Sequence, residues 1–458
     1  MINAALKTVL RCGGLAEELA DTITFKGADP VIPTQYRVGT AGSAALGAMA
    51  LAMADIRQAQ TGRRPDIAID VRGATASLRS SKYVQIDGKP PEKRDGVSGF
   101  YPVANGRWVY FHCNHWPHEA AVLRVLGVPA DVKQVAAAAL KWNAFELEQA
   151  VDVAGGCAPA VRTVEEWNAL PNTPFLNAEP LVDIRKIGDS APIPLPRGER
   201  PLSGLKVLDL TRVLAGPTSA RLLAENGADV LKVTCDKHPD SPINEMDTGY
   251  GKRKAVVNID TPAGRERFTA LMRQCDVFSQ AYRPGALAGL GFSHEQVMAL
   301  RPGIVYASLN AFGHTGPWRG RRGFDTVVQT ACGMANISGR GKEPQFTPVS
   351  SLDYITGYLM TYGVLVALKR RHTEGGSYSV NVSLGRAMEW MTGMGLLDMP
   401  VVDAMPAELP EIANWLTDVP TPLGRLTRLR PIIQYSDDVL NTLPAWTVNA
   451  APDAAWLK

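Results

Sequence analysis

The sequence predicts an α/β protein: a doubly wound parallel sheet joined to a smaller α+β domain. Three observations carry this. Across residues 205–310, short apolar runs alternate with helical stretches. The first half has another texture, with a small-residue helix and a hairpin signal. Between them lies DSAPIPLPRGERPLSG (189–204), whose four prolines and two glycines read as a linker. A chain of 458 residues is too long for one small core, and the linker divides it into 1–195 and 196–458.

In the first half, GSAALGAMALAMADIRQAQ (42–60) reads as a helix and DIAIDV (66–71) as a strand. Asn105-Gly106 is a hairpin turn ahead of RWVYFHCN. WNAFELEQAVDVAG is helical, and Thr163-Val164-Glu165-Glu166 has the form of a capping box. In the second half LKVLDL (205–210) is a buried parallel strand, and Gly216-Pro217 opens the helix TSARLLAENG. The strands ADVLKV (228–233), AVVNI (255–259), DVFSQ (276–280) and IVYASLN (304–310) follow, with GRERFTALMRQC (264–275) and HEQVMALRPG (294–303) as helices. This is a Rossmann-like pattern, and ligands on such sheets sit beyond the carboxyl ends of the strands. Those ends carry TRVLAG (211–216), TCDKHPD (234–240), AYRPG (281–285) and NAFGHTGPWRGRRGFD (310–325).

A weak repeat places 40–76 on 353–389, a shift of 353 − 40 = 313. Arg57 then matches Arg370, Gly62 matches Gly375, and IAIDV falls on VNVSL. Leu46, Ala54 and Ala74 meet Leu359, Ala367 and Ala387, and Thr40 takes the place of Asp353.

Composition excludes several classes. A net charge of +3 gives no case for nucleic acid. The six cysteines are scattered without a CxxC pair, which suits a reducing cytoplasm rather than a disulfide framework. No secretory h-region opens the chain, and no uninterrupted apolar run suggests a membrane span. His112, Cys113, His115 and His118 crowd together, but their spacing matches no zinc signature, so no metal is expected. There is no GxGxxG, P-loop, G-x-S-x-G or H-E-x-x-H. TRVLAGP puts backbone amides at a helix start, a natural anion seat. Lys252-Arg253-Lys254 and Arg321-Arg322, read as loop clusters, suit a ligand with several phosphates. Asp353 precedes a long uncharged helix; the plain reading is an N-cap, the sharper one a reactive carboxylate.

In order, LSGLKVLDLTRVLAGPTSARLLAENGADVLKV, GKRKAVVNID, DVFSQAYRPGALAGLGFS, LRPGIVYASLNAFGHTGPWRGRRGFDTVVQTACGM and SSLDYITGYLMTYGVLVALKRRHTEGGSYSVNVSL span about 200–390. Together they resemble the class III CoA-transferases, the family of formyl-CoA transferase, carnitine CoA-transferase and the alpha-methylacyl-CoA racemases. GRWVYFHCNHWPHEAAVLRVLGVP and FELEQAVDVAGGCAPAVRTVEEWNALP resemble the family's small domain and the segment after it, which in the family follow the catalytic aspartate. Residues 1–195 thus look like a degenerate late-half copy with the small domain, and 196–458 like the CoA-binding domain with the catalytic segment.

The resemblance implies that Asp353 is the covalent carboxylate, that Thr211, Arg212, Val213, Leu214 and Ala215 contact CoA, and that Lys252 and Arg253 lie beside its adenine and phosphate. It implies further CoA contacts at Arg283 and Arg322, with Asp325 and Gln329 near the reacting carboxylate. Thr234-Cys235 and Gly289 depart from the family's charged positions, and Gly323-Phe324-Asp325 lacks the histidine of the racemases. The implied activity moves CoA between an acyl-CoA and a carboxylic acid acceptor, with no permanently bound cofactor, in a homodimer. A racemase and a non-catalytic CoA-binding protein are the alternatives. Asn114, His115 and His118 are candidates for the acyl pocket, and Gly357 for leaving room there.

Overall fold

The computed structural model describes residues 1–92, 94–236, 241–444 and 454–457; the end of the predicted TCDKHPD segment, residues 237–240, lies outside them. The chain opens with α1 (Ile2–Gly13) and β1 (Ile23–Lys26). The small residues of 42–60 fall inside α2 (Val38–Thr61), which is buried along most of its length. By length and composition α2 is apolar enough to cross a membrane, but nearly all of that apolar stretch is packed inside the protein. β2 (Ile67–Asp70), α3 (Val71–Ser77) and β3 (Gln85–Ile86) follow.

A small α+β unit comes next. β4 (Gly99–Pro102) and β5 (Trp108–Phe111) form its hairpin, where Asn105 (φ 65°) and Gly106 (φ 69°) adopt the left-handed conformation a tight hairpin turn demands. α4 (Trp116–Leu126), α5 (Val132–Ala139) and α6 (Ala144–Val153) share a separate core with it around Phe111, Val122 and Leu147. The predicted capping box starts α7 (Val164–Asn168), with both Thr163–Glu166 bonds formed, and α8 (Thr173–Ala178) completes this half.

The main sheet holds β6 (Asp183–Gly188), β7 (Lys206–Leu210), β8 (Asp229–Thr234), β9 (Lys252–Val256), β10 (Val277–Gln280), β11 (Val305–Asn310) and β12 (Ser377–Ser383). Around them run α9 (Ala215–Glu225), α10 (Pro242–Thr248), α11 (Pro262–Met272), α12 (His294–Leu300), α13 (Asp325–Ala331), α14 (Met334–Gly339), α15 (Ser351–Glu374) and α16 (Leu384–Thr392). The strand order is β6-β12-β11-β10-β7-β8-β9, parallel except for β6. The order reverses between β7 and β10, which puts a crevice at their carboxyl ends. One expectation shifts: the strand read at 255–259 is Lys252–Val256, so Lys252-Arg253-Lys254 lies in a strand and not a loop. The sheet admits these charges because Asp209 and Asp229 lie within reach of them.

The repeat is structural. A shift of 313 carries α2 (38–61) onto α15 (351–374) at both ends, and the start of α3 (71) onto that of α16 (384). β1 pairs parallel with β2 as β11 pairs with β12. A third strand lies antiparallel in each set, and it comes from the other half of the chain. β6 pairs with β12, while β15 (Ile433–Tyr435), which follows β13 (Leu416–Thr421) and β14 (Gly424–Leu429), pairs with β2. The halves divided at residue 195 in sequence are thus interlocked by exchanged strands, and α2 packs along α15 between them.

Candidate active site

The loop after β7 is held from below. Asp209, fully buried, accepts hydrogen bonds from the Thr211 N–H (3.0 Å), Thr211 Oγ1 (2.5 Å), Ser279 Oγ (3.2 Å) and Lys252 Nζ (3.0 Å). Lys252 also donates to the Pro217 carbonyl at 2.8 Å. Burial pulls the Lys252 ammonium down to about 8, against the opposing pull of Asp209. Lys252 therefore acts from beneath the loop as a clamp. Val213 has φ 70°, a strained conformation for a β-branched residue. A Cβ on Gly216 would stand 2.5 Å from Thr211, so the chain turns tightly into α9. Leu214 is the N-cap of α9 and gives no side-chain cap, which leaves the first amides for an anion.

Asp353 is not the cap of α15. The N-cap is Ser350, without a side-chain bond, and Asp353 is the third residue of the helix, 7% exposed. The capping oxygen comes from another element. Asp325, first residue of α13, accepts from the Leu352 N–H (2.8 Å) and the Asp353 N–H (3.2 Å). The Gln329 side-chain amide donates to Asp325, and its oxygen accepts from the Thr347 N–H at 3.0 Å and Thr347 Oγ1 at 3.2 Å. Burial raises both carboxyl groups, Asp325 to about 6 and Asp353 well above its usual range. For Asp353 the neighbouring charge of Asp325 adds to burial; for Asp325 the three donors oppose it. Asp325, with its three donors, is thus the better stabilised anion of the two.

The first half contains the same anchor with Thr40 in the place of Asp353. Asp29 accepts from the Gly39 N–H (2.9 Å) and the Thr40 N–H (2.7 Å). Sequence reading missed Asp29. Its signal was Gly27-Ala28-Asp29 against Gly323-Phe324-Asp325, hidden because that shift is 325 − 29 = 296 and not 313. Gly357 is also corrected. A Cβ there would meet the Ala215 carbonyl oxygen at 2.6 Å and Thr218 Cβ at 2.9 Å, so the glycine gives close helix packing, not space for an acyl group. That contact sets α15, one turn beyond Asp353, against the start of α9. Ser351, Thr356 and Thr218 hydroxyls are buried here with no partner among the described residues.

The other sequence candidates divide. Arg212 and Val213 are half-buried in the loop; Leu214 and Ala215 are buried. Arg253 grips Asp229 through bonds of 2.6, 2.9 and 3.0 Å and donates to the Ala455 carbonyl at 2.6 Å. Arg283 is exposed beyond β10. Arg322 is half-buried and lies against Gly155 of the small unit. Asn114 is bonded to the 94–98 loop through the Arg94 carbonyl, Asp95 and Ser98. The rings of His112, His115 and His118 stand 4.0, 5.3 and 5.5 Å from that of Phe324, packing on it. Among the described residues no cluster is arranged to hold a metal.

Residues 202–414 match the family described as CoA-transferase family III. This stretch includes the loop, Lys252, Asp325, Gln329 and Asp353, whereas Asp29 and the small unit precede it. The chain is 38% identical over 200 residues to an acetyl-coenzyme A transferase from Hypoxylon pulicicidum, covering 42% of this chain and 34% of that protein. It is 28% identical over 422 residues to an acyl-CoA transferase from Gibberella moniliformis, covering 80% of this chain and 73% of that one. A human succinyl-CoA:glutarate CoA-transferase is 33% identical over 232 residues, covering 47% of this chain and 49% of the relative. The chain thus spans half or less of the length of the first and third of these.

Proposed function

We propose that the protein transfers CoA from an acyl-CoA to a carboxylic acid, with Asp353 as the covalent carrier. The observation that carries this is the Asp353–Asp325 pair, buried at the first turn of α15 and held beside the uncapped start of α9. The Asp353 carboxylate attacks the donor thioester carbonyl, the C–S bond breaks, and CoA leaves as thiolate. The thiolate attacks the aspartyl carbonyl of the mixed anhydride, freeing the donor acid and leaving an aspartyl-CoA thioester. The acceptor carboxylate then attacks the aspartyl carbonyl and expels the thiolate. The thiolate finally takes the acceptor acyl group and restores Asp353. Each step exchanges activated acyl groups, so none needs water or an oxidant. The α9 amides suit a CoA phosphate, and Lys252 and Asp209 keep them in place. Racemisation would require a base where Phe324 stands, and its ring has none.

With an acyl-CoA and a second acid, the expected result is the CoA ester of the second acid formed in step with release of the first. Hydrolysis alone, whatever acid is supplied, would refute the transferase reading. The six free cysteines support a reducing, cytoplasmic setting.

A homodimer is what the family resemblance implies. The strand exchange inside one chain supports a different unit, in which α2 and α15 already form the pseudo-symmetric contact. The expected result of sedimentation equilibrium is the mass of one chain at every loading. A species of twice that mass, growing with concentration, would restore the homodimer.

A further inference from the structure

A threonine inside a helix commonly turns its hydroxyl back onto the preceding turn. Thr75, Thr248, Thr330 and Thr361, all buried, do so here, each donating to the carbonyl four residues back at 2.7–2.9 Å. Thr356 of α15 does not. It is fully buried, and its Oγ1 has no partner among the described residues. A buried hydroxyl without a partner is unfavourable unless something that forms in the site supplies one.

Its place on the helix gives this hydroxyl a use. Three residues of α-helix turn a side chain by about 300° and advance it about 4.5 Å, so Thr356 stands one turn beyond Asp353 and about 60° round from it. Helical side chains lean toward the N-terminus, which carries Oγ1 back over the turn that holds Asp353. The other flank of Asp353 belongs to Gly357, where α9 closes in: a Cβ there would meet the Ala215 carbonyl oxygen at 2.6 Å. The neighbouring orphan hydroxyls are less well placed. Ser351 lies about 160° round the helix from Asp353. Thr218 turns its Cβ and Cγ2 toward α15, at 2.9 and 3.1 Å from the Cβ position of Gly357. Asp325 accepts from the Leu352 and Asp353 amides, and the Gln329 amide donates to Asp325.

We propose that the Thr356 hydroxyl is the oxyanion donor for the two steps that take place at the Asp353 side-chain carbonyl. The inference rests on the transferase reading. In those steps CoA thiolate, and later the acceptor carboxylate, adds to Asp353 Cγ. The C=O electron pair moves onto Oδ and returns as the donor acid, and later the thiolate, departs. The Thr356 O–H donates a hydrogen bond to that oxygen and keeps its proton. The first attack, of Asp353 on the donor thioester, builds its oxyanion on the donor's carbon and does not use Thr356. The hydroxyl has no partner in the resting site, so its bond gains most as charge gathers on Oδ, which raises kcat rather than binding. Ser43 is the internal comparison: at the matching place in α2 (356 − 43 = 313) it is also buried and unpartnered among the described residues, but it stands one turn from Thr40, which brings no carboxylate.

The test follows the CoA thioester of Asp353 by rapid quench, forming from acetyl-CoA, succinyl-CoA or benzoyl-CoA and discharging to the matching free acids. It compares the wild type, Thr356→Val, Thr356→Ser and Ser43→Ala. Thr356→Val is expected to slow formation and discharge alike by about 100-fold, with the final thioester yield kept and free CoA bound within about twofold of the wild type. Its thermal midpoint should not fall, because valine keeps the shape and removes an unsatisfied hydroxyl. Thr356→Ser should stay within about fivefold of the wild type, and Ser43→Ala should match it. A Thr356→Val enzyme that forms and discharges the thioester at the wild-type rate would overturn the inference alone. A loss that comes with a lower midpoint, or that serine does not recover, would make Thr356 a packing residue and overturn it too. A wild type that binds CoA but forms no Asp353 thioester from any of the three donors would remove the transferase reading and this inference together.

Discussion

Asp353→Asn is expected to abolish CoA transfer, with kcat lower by about 10⁴-fold or more, and at the same time to make the protein more stable at pH 8. The first effect follows from losing the atom that carries the acyl group, for which no neighbour substitutes. The second follows from linkage. The folded-state pKa of Asp353 is raised by burial and then by Asp325, so folding favours the protonated group. That contribution is fully present below the unfolded pKa and is lost as pH rises through the folded one. As rising pH ionises Asp353, the wild type must hold two carboxylates in one dry site, and a neutral amide relieves the repulsion. The gain is about 1–3 kcal/mol. Below about pH 4, where both states are protonated, it disappears. Urea unfolding at pH 8 and at pH 4 measures it; an Asn variant less stable than the wild type at pH 8 would show that Asp353 is a structural group.

The second large effect separates two roles of Asp325. In Asp325→Ala the N–H groups of Leu352 and Asp353 lose their acceptor in a buried place. The expected cost is about 2–4 kcal/mol of stability, with kcat/KM lower by about 100-fold as the first turn of α15 loosens. Asp325→Asn keeps an oxygen for those amides but removes the charge that helps raise the Asp353 pKa. The acid limb of its kcat/KM profile should therefore move to lower pH, because Asp353 must lose its proton to attack. Asp29→Ala is the control. It breaks the matching pair of bonds to Gly39 and Thr40 and should destabilise the chain by a similar amount, leaving kcat unchanged in the molecules that remain folded. An Asp325→Asn profile that superposes on the wild type would remove the charge coupling from the account.

The apolar strands of the main sheet were legible because burial on both faces requires near-continuous hydrophobic runs, as in Val207–Leu210 and Val305–Leu309. β9 was displaced because its buried lysine is neutralised by Asp209, a partner remote in sequence. β6 and β15 carry no such pattern, and their pairing is set by what already stands at the sheet edge. The repeat was legible in its helix and turn glycine, whereas the strand exchange was not. Asp353 stood out through its surroundings, but the oxygen that holds it did not, because Asp325 works through backbone amides that any sequence would supply. Gly357 was read as space because a missing side chain looks the same in sequence whether a ligand or a neighbouring helix fills the gap.

The most direct test of covalent transfer at Asp353 is intact-protein mass after mixing with a panel of acyl-CoAs, with and without hydroxylamine, in the wild type and Asp353→Ala. The account predicts an acyl or CoA adduct in the wild type alone, which hydroxylamine converts to a hydroxamate on the peptide that contains Asp353. CoA binding with no adduct from any donor, or an adduct that persists in Asp353→Ala, would contradict it.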